Sequence, residues 1–417
     1  MLYFQTKIIA QTIPLRSPAA IDGRLTRNNI RITSIDLLRG TVMIIMALDH
    51  VRDYFHRNAF FFNPTDLTQT SVPLFFTRWI THFCAPVFVF LSGISAHLSG
   101  RKKGKKALAV FLLKRGIWLV LAELFIVTLE WTFNPAYPAF SFQVIWAIGV
   151  SMIAMSALVR LNPRVLAVLA IVLIAGHNLL DPIHVPGTGP ASIAWSLLHE
   201  PGDYAVGPFK LLIRYSVLPW IGIMAAGYCL GPVFVRGYPV RTRKRILLLG
   251  GGTAIFVFIL LRAINLFGDP APWSIQNNIA FDILSFLNVT KYPPSLLYTL
   301  MTLGPALIFL GLAERPLNRM TAKISIFGRV PMFYYFTHLL VIHLLALVGV
   351  MIAGHPVSDM ILHDRVNRVP ALKGYGFDLL WVYAIWIAVV LILFPVCRWY
   401  DLYKKSHRTT QWWLSYV

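Results

Sequence analysis

The sequence predicts an all-α, polytopic integral membrane protein of about ten transmembrane helices, with both termini in the cytoplasm. Three observations carry that prediction. Hydrophobic residues fill 57% of the 417 positions and charged residues only 13%, with a mean hydropathy of +0.65; an ordinary soluble domain is about 25% charged. Apolar runs close to the ~20 residues of a bilayer crossing recur along the whole chain. The basic residues gather at alternate ends of those runs, which is how orientation is encoded in membrane proteins. Segments of this length satisfy their backbone in lipid as helices, so strands are not expected.

The runs lie at 34–55, 74–98, 107–132, 139–160, 164–181, 211–235, 246–267, 294–313, 327–353 and 377–400. The fifth is short, and the loops at 182–210 and 268–292 each have room for a half-helix or a short amphipathic helix, which leaves eleven spans as the alternative. With both ends inside, 24 Lys and Arg fall on the inner segments and 8 on the outer ones. The inner set includes Lys7, Arg16, Arg24, Arg27 and Arg31, the run Arg101 to Lys106, and Arg408. A net charge of +21 would suggest nucleic acid in a soluble chain; here it follows the topology, so a lipid bilayer is the expected partner and nucleic acid is not. The division this implies is a cytoplasmic tail at 1–33, one transmembrane domain at 34–400 with its motifs densest at 34–160, and a cytoplasmic tail at 401–417. Residues 1–31 lack the continuous apolar core of a signal peptide. Cys84, Cys229 and Cys397 are far apart and form no CxxC, so neither a disulfide framework nor a metal site is expected.

The first run carries the most informative residues. Arg39 and His50 have ten residues between them. Eleven helical steps of about 100° return to within about 20° of the starting face, roughly 16 Å along the axis. A cation and an imidazole on one stripe of an apolar helix are costly in lipid and normally line a protected interior. Asp36 lies three residues before Arg39. Asp53 is four residues after Asp49 and three after His50, spacings at which each pair can touch, and a carboxylate beside His50 could fix its tautomer, as a general base requires. His56 and Arg57 follow at the outer mouth, where Asp53, His56 and Arg57 read equally well as interfacial charges.

In the second run Arg78 and His82 are four apart and share a helical face, ahead of Pro86 and Gly93; His82 reads either as lining the same cavity as His50 or as bonding a neighbouring backbone carbonyl. In the third, Lys114 and Arg115 either snorkel to lipid phosphates or bind those of a cytosolic cofactor. Glu123 and Glu130 are seven apart on one face, and glutamates at that depth are expected to pair with Arg or His of another span. In the ninth, the aromatic run containing Tyr334 and Tyr335 leads to His338 and His343, whose spacing of five puts them about 140° apart and argues against a shared metal face. Tyr334 reads as a packing residue or a stacking platform. The segment Lys291-Tyr292-Pro293-Pro294 reads as a rigid entry to the eighth run. No phosphate-binding Gly-rich loop, GxSxG elbow or HExxH appears.

Ile35-Asp36-Leu37-Leu38-Arg39-Gly40 resembles the start of the transmembrane acyltransferase superfamily. Arg39, ten residues and His50 resemble the hallmark of its membrane-bound acyltransferase-3 proteins. Ala85-Pro86-Val87-Phe88-Val89-Phe90-Leu91-Ser92-Gly93 resembles the second helix of the heparan-alpha-glucosaminide N-acetyltransferase family. The first 160 residues look most like that family's catalytic domain in bacterial members. The resemblance implies an acetyl-coenzyme A-dependent N- or O-acetyltransferase of a bacterial cytoplasmic membrane, taking its donor from the cytosol and delivering to a sugar or glycan outside, with no metal. It implies that Arg39 helps to hold the donor and that a first-helix His serves the transfer; Lys114 and Arg115 would be the third run's contribution to the donor's phosphates. His50 fits the acyltransferase-3 pattern; His56 is nearest to where animal heparan-type enzymes carry their essential His. The alternative class is a multi-span transporter of a polar solute, which buried charges would also suit; it predicts inverted halves with matching broken helices, and none is visible in the sequence.

Overall fold

The computed structural model describes residues 32–407 and 410–415, so most of the predicted N-terminal tail, including Lys7, Arg16, Arg24, Arg27 and Arg31, lies outside the described residues, as does Arg408. Among the described residues helix dominates, and a helix occupies every one of the ten predicted runs. Helix α1 spans Thr33–Phe55, α2 Val72–Trp79 and α3 Cys84–Leu121. Gly104, at φ 77°, breaks α3 within the exposed basic run. Then follow α4 (Thr128–Thr132), α5 (Val144–Leu158), α6 (Pro163–Ile171), α7 (Pro190–Leu198), α8 (Val217–Leu230) and α9 (Val240–Ile264). The chain continues through α10 (Ile279–Leu287), α11 (Leu296–Leu312), α12 (Arg319–Arg329), α13 (Pro331–Ile352) and α14 (Leu379–His407), the last running beyond residue 400. Among the described residues five helical segments are long and apolar enough to cross a membrane: Pro163–Leu180, Val217–Phe234, Val240–Ile264, Pro331–Ile352 and Leu379–His407. Helix α1 has the length but carries Asp36, Arg39, Asp49, Arg52 and Asp53.

The expectation of no strands is overturned. Strands β1 (Ala139–Phe142), β2 (Gly202–Val206) and β3 (Phe209–Ile213) form a small sheet of order β1-β3-β2. β2 and β3 are an antiparallel hairpin turning at Gly207 (φ 58°), and β1 joins β3 in parallel. The predicted fourth and sixth runs both began in these strands. An apolar count does not separate a strand leading into a helix from the helix itself, whereas the alternating burial of Ala139, Phe140, Ser141 and Phe142 does. The two long loops hold short helices, α7 and α10, of nine residues each, too short to span.

Helix α1 packs against α3, α11, α12, α13 and α14. Its closest crossing is with α12, where Gly40 and Gly328 face one another. A Cβ on Gly40 would stand 2.1 Å from the Ile324 carbonyl oxygen, and one on Gly328 1.9 Å from that of Asp36. Gly93 of α3 and Gly227 of α8 form a second such crossing. Small residues let membrane helices approach at backbone distance, and here they set where the charged stripe of α1 meets its neighbours.

Candidate active site

The C-terminal half of α1 opens onto a cavity of about 90 Å³. From α1 it receives Met46, Asp49, His50 and Asp53; Arg78 and Thr81 come from α2 and the turn after it, and Trp131 from α4. Gln143 and Val144 enter at the start of α5, Tyr215 precedes α8, Lys291 and Tyr292 precede α11, and Tyr335 comes from α13. Helix ends and the loops between them therefore converge on His50.

His50 Nδ1 lies 2.8 Å from Nε2 of His338, and Nδ1 of His338 lies 2.8 Å from the Tyr334 carbonyl oxygen. A carbonyl only accepts. His338 must therefore carry its proton on Nδ1, and its Nε2, in the neutral ring, accepts from His50 Nδ1–H. The chain of bonds leaves the lone pair of His50 on Nε2. His338 is fully buried, its ring stacked parallel on Tyr334 at 5.1 Å and on His50 at 5.0 Å. Trp131 closes the other side of His50, edge-on at 4.9 Å.

The flanking carboxylates do not orient His50. Asp49 is 2.8 Å from Arg52 Nη1 and also bonds Arg78, while Asp53 takes Arg52 Nη2 at 2.5 Å. Arg52 lies between the two acids on the helix, and Asp49, adjacent to His50 in sequence, points about 100° away from it. The ion pairs among these residues put balanced charge on one wall of the cavity.

His56 stands outside the cavity. It caps the end of α1, its Nδ1 accepting from Asn58 N at 3.3 Å. Desolvation, with Arg52 and Arg57 adding to it, holds its pKa down to about 4. His82 also departs from the expected face. The helix tightens into a 3₁₀ turn at Ile80–Phe83, which breaks the four-residue register with Arg78; the buried His82 ring faces Tyr298 at 5.6 Å.

Arg39 donates to the Gly328 carbonyl at 3.1 Å and to Ser95 Oγ at 3.3 Å, and lies 3.5 Å from Asp36. It joins α1, α3 and α12 below the cavity and does not line it. Lys114 is exposed and Arg115 half-buried, both away from the cavity. Glu123, fully buried, bonds no cation through its Oε2: that oxygen accepts from Trp146 N at 3.0 Å in the first turn of α5. A carboxylate meets the unpaired N–H groups and positive end of a helix there, which fixes the turn that brings Gln143 and Val144 to the cavity. Tyr334 supplies the carbonyl that orients His338, while its buried hydroxyl has no hydrogen-bond partner among the described residues.

Lys291 and Tyr292, read from sequence as a rigid entry only, belong to the cavity wall. Asp269 fixes their loop by accepting from Thr290 N at 2.8 Å, Thr290 Oγ1 at 2.9 Å and Ser295 Oγ at 2.6 Å. Desolvation raises the Tyr292 phenol, and the nearby Lys291 and Arg78 overcome it, bringing it to about 8. A lysine among aromatic and proline residues ahead of an apolar run was the available signal. Asp269, 22 residues upstream, gave none.

A family model described as heparan-alpha-glucosaminide N-acetyltransferase, catalytic, matches residues 31–262. No curated protein matches the chain. The matched stretch contains His50, Asp49 and Arg78 of the site and Arg39 below it, whereas Lys291, Tyr335 and His338 complete the site from beyond that stretch.

Proposed function

The chain belongs to the heparan-alpha-glucosaminide N-acetyltransferase catalytic family, a family of membrane acetyltransferases, and from that membership and the setting of His50 we propose an acetyl-coenzyme A-dependent transferase with His50 as its general base. The acceptor is a hydroxyl or amine of a sugar or glycan on the outer side of a bacterial cytoplasmic membrane. The orientation follows the basic residues: the start of α1 inside, the cavity at its outer end.

The observation that carries this reading is the single-file bonding from His50 through His338 to the Tyr334 carbonyl. It supports a neutral imidazole with Nε2 unprotonated, the form a base needs. His50 Nε2 takes the proton of the acceptor as the acceptor's oxygen or nitrogen attacks the thioester carbonyl carbon. The C–S bond breaks, and His50 returns the proton to the departing sulfur. The bound thioester supplies an activated acetyl group. Lys291 and Arg78, cations on the cavity wall, suit the negative charge that grows on the carbonyl oxygen. The cavity, at about 90 Å³, suits the acetyl end of the donor and not its nucleotide. We assign the nucleotide's phosphates to the inner side, with Lys114 and Arg115, and to Arg39 the holding of α1, α3 and α12 between them.

Purified protein in detergent, given acetyl-coenzyme A labelled in its acetyl group and glucosamine or a glycan bearing it, should transfer the label to the sugar. Folded protein that neither binds nor hydrolyses acetyl-coenzyme A overturns the reading in favour of a transporter. Mass spectrometry of surface glycans from cells with and without the gene would then identify the acceptor by its lost acetyl group.

A further inference from the structure

Away from the cavity, His177, Asp181 and His199 bring one ligand atom each within 4.8 Å of one another. His177 opens the turn that ends the helical segment Pro163–Leu180, Asp181 closes that turn, and His199 closes α7. His199 Nε2 lies 3.1 Å from Asp181 Oδ1. The two rings lie 5.6 Å apart. His177 is 3% exposed and His199 2%. Among the described residues Nδ1 of His199 has no hydrogen-bond partner, and His177 has only the Pro294 backbone carbonyl beside its ring, outside good hydrogen-bond geometry. Buried polar atoms are almost always bonded, so buried ring nitrogens left this poorly satisfied in one cluster of metal-ligating side chains call for a ligand.

We propose that His177, Asp181 and His199 bind a zinc ion. Two imidazoles and one carboxylate are a donor set that suits zinc, with water in the fourth position of a tetrahedron. One ion would take a nitrogen from each ring and Oδ1 from Asp181. At zinc–ligand distances of about 2.0–2.2 Å the three atoms close to roughly 3.3 Å apart, a shift within reach of side-chain rotation. The outer layer that such sites need is present: Asn178 Nδ2 donates to Asp181 Oδ2 at 2.9 Å, and its Oδ1 accepts from Leu296 N at 3.0 Å. The exposed pair His184 and Glu200, 2.9 Å apart, lies next in sequence to this cluster on the solvent side. The role is positional. The ion would pin the end of the α6 segment to α7, and α7 holds the approach to α8 through Ser216 Oγ, which donates to the Ser196 carbonyl at 2.8 Å. Tyr215, one residue earlier, lines the cavity.

Tag-free full-length protein, stripped with a chelator in detergent and dialysed, is given zinc chloride and freed of unbound metal. Elemental analysis should find one zinc per chain, and zinc should raise the unfolding temperature. Cobalt chloride in its place should give the visible absorption of a tetrahedral ion. Asn178→Ala should weaken zinc binding about ten- to a hundredfold, and a His177→Ala/His199→Ala double variant should abolish it. Monodisperse wild-type protein that retains no zinc and gives no cobalt absorption overturns the proposal without reference to any variant. So does a folded double variant that binds zinc as the wild type does. None of these readouts depends on acetyl transfer.

Discussion

His50 Nδ1 and His338 Nε2 are 2.8 Å apart, and a single proton stands between them. The Tyr334 carbonyl decides which ring owns it, because His338 must donate there through Nδ1. Orientation of the base is thus inherited from a backbone oxygen through a second imidazole, in place of a carboxylate.

Removing the base and removing its orienting ring should differ in kind. His50→Ala should lower kcat by about 10² to 10⁴ while the protein remains folded. His338→Phe should lower kcat with KM little changed and shift the pH profile of kcat, since His50 then loses the acceptor that selects its tautomer. His338→Gln, whose amide oxygen can accept from His50 Nδ1–H, should recover part of the rate. Equal activity of His338→Phe and wild type across the pH range would remove His338 from the mechanism.

His56 should matter to stability and not to turnover. His56→Asn retains an acceptor for Asn58 N and should keep kcat, where loss of activity in His56→Asn with full activity in His50→Ala would reverse the assignment of the base. The pH dependence has a fixed sign. The folded pKa is about 4 and the reference value 6.5, so between them the unfolded chain binds more protons. This contribution is whole above about pH 6.5 and is lost as pH falls toward 4. Unfolding temperatures of wild type should therefore fall more steeply than those of His56→Asn over that window.

The helices and the stripe of Arg39 and His50 were legible because a membrane helix satisfies its own backbone and its periodicity is local. The site's assembly was not. His338 is 288 residues from His50, and no local pattern records that α13 delivers it there. Contacts of Asp49 along its own helix are readable from spacing, whereas Arg78, which bonds its carboxylate, arrives from another helix. Lys291 sits in a loop whose fixing residue, Asp269, carries no motif. The strands were hidden within apolar runs, and Glu123 meets a helix end that only tertiary packing supplies.

The crossing of α1 and α12 should be the least tolerant place in the fold for one added methyl group. Gly40→Ala sets its Cβ against the Ile324 carbonyl at 2.1 Å, a backbone atom with no rotamer to escape into. Overpacking of this kind costs roughly 1–3 kcal/mol. The same step would disturb the Arg39 bond to Gly328. Gly252→Ala on α9, where an added Cβ meets nothing within 4 Å, should be neutral or slightly stabilising, because alanine favours the helix by about 1 kcal/mol. Thermal unfolding in one detergent compares the pair; equal melting temperatures would mean that α1 and α12 are not held at this distance.

Arg78 and Asp49 should behave as one unit. Both side chains are 13% exposed, and Asp49 keeps a second cation, Arg52, at 2.8 Å. Arg78→Met removes one of two partners from a largely desolvated carboxylate. The remaining contact with Arg52 keeps the loss near 1–3 kcal/mol, below the 3–5 of a fully orphaned buried ion. Asp49→Asn alone leaves two arginines side by side with only Asp53 to balance them, and should cost at least as much. The double variant Asp49→Asn/Arg78→Met removes one charge of each sign and should be more stable than the sum of the two losses predicts. A double-mutant cycle on unfolding midpoints measures the difference, with coupling of 0.5 kcal/mol or more expected for groups in contact. Strict additivity would mean that the two residues act separately, and that the balanced charge on this wall of the cavity is not held by their pairing.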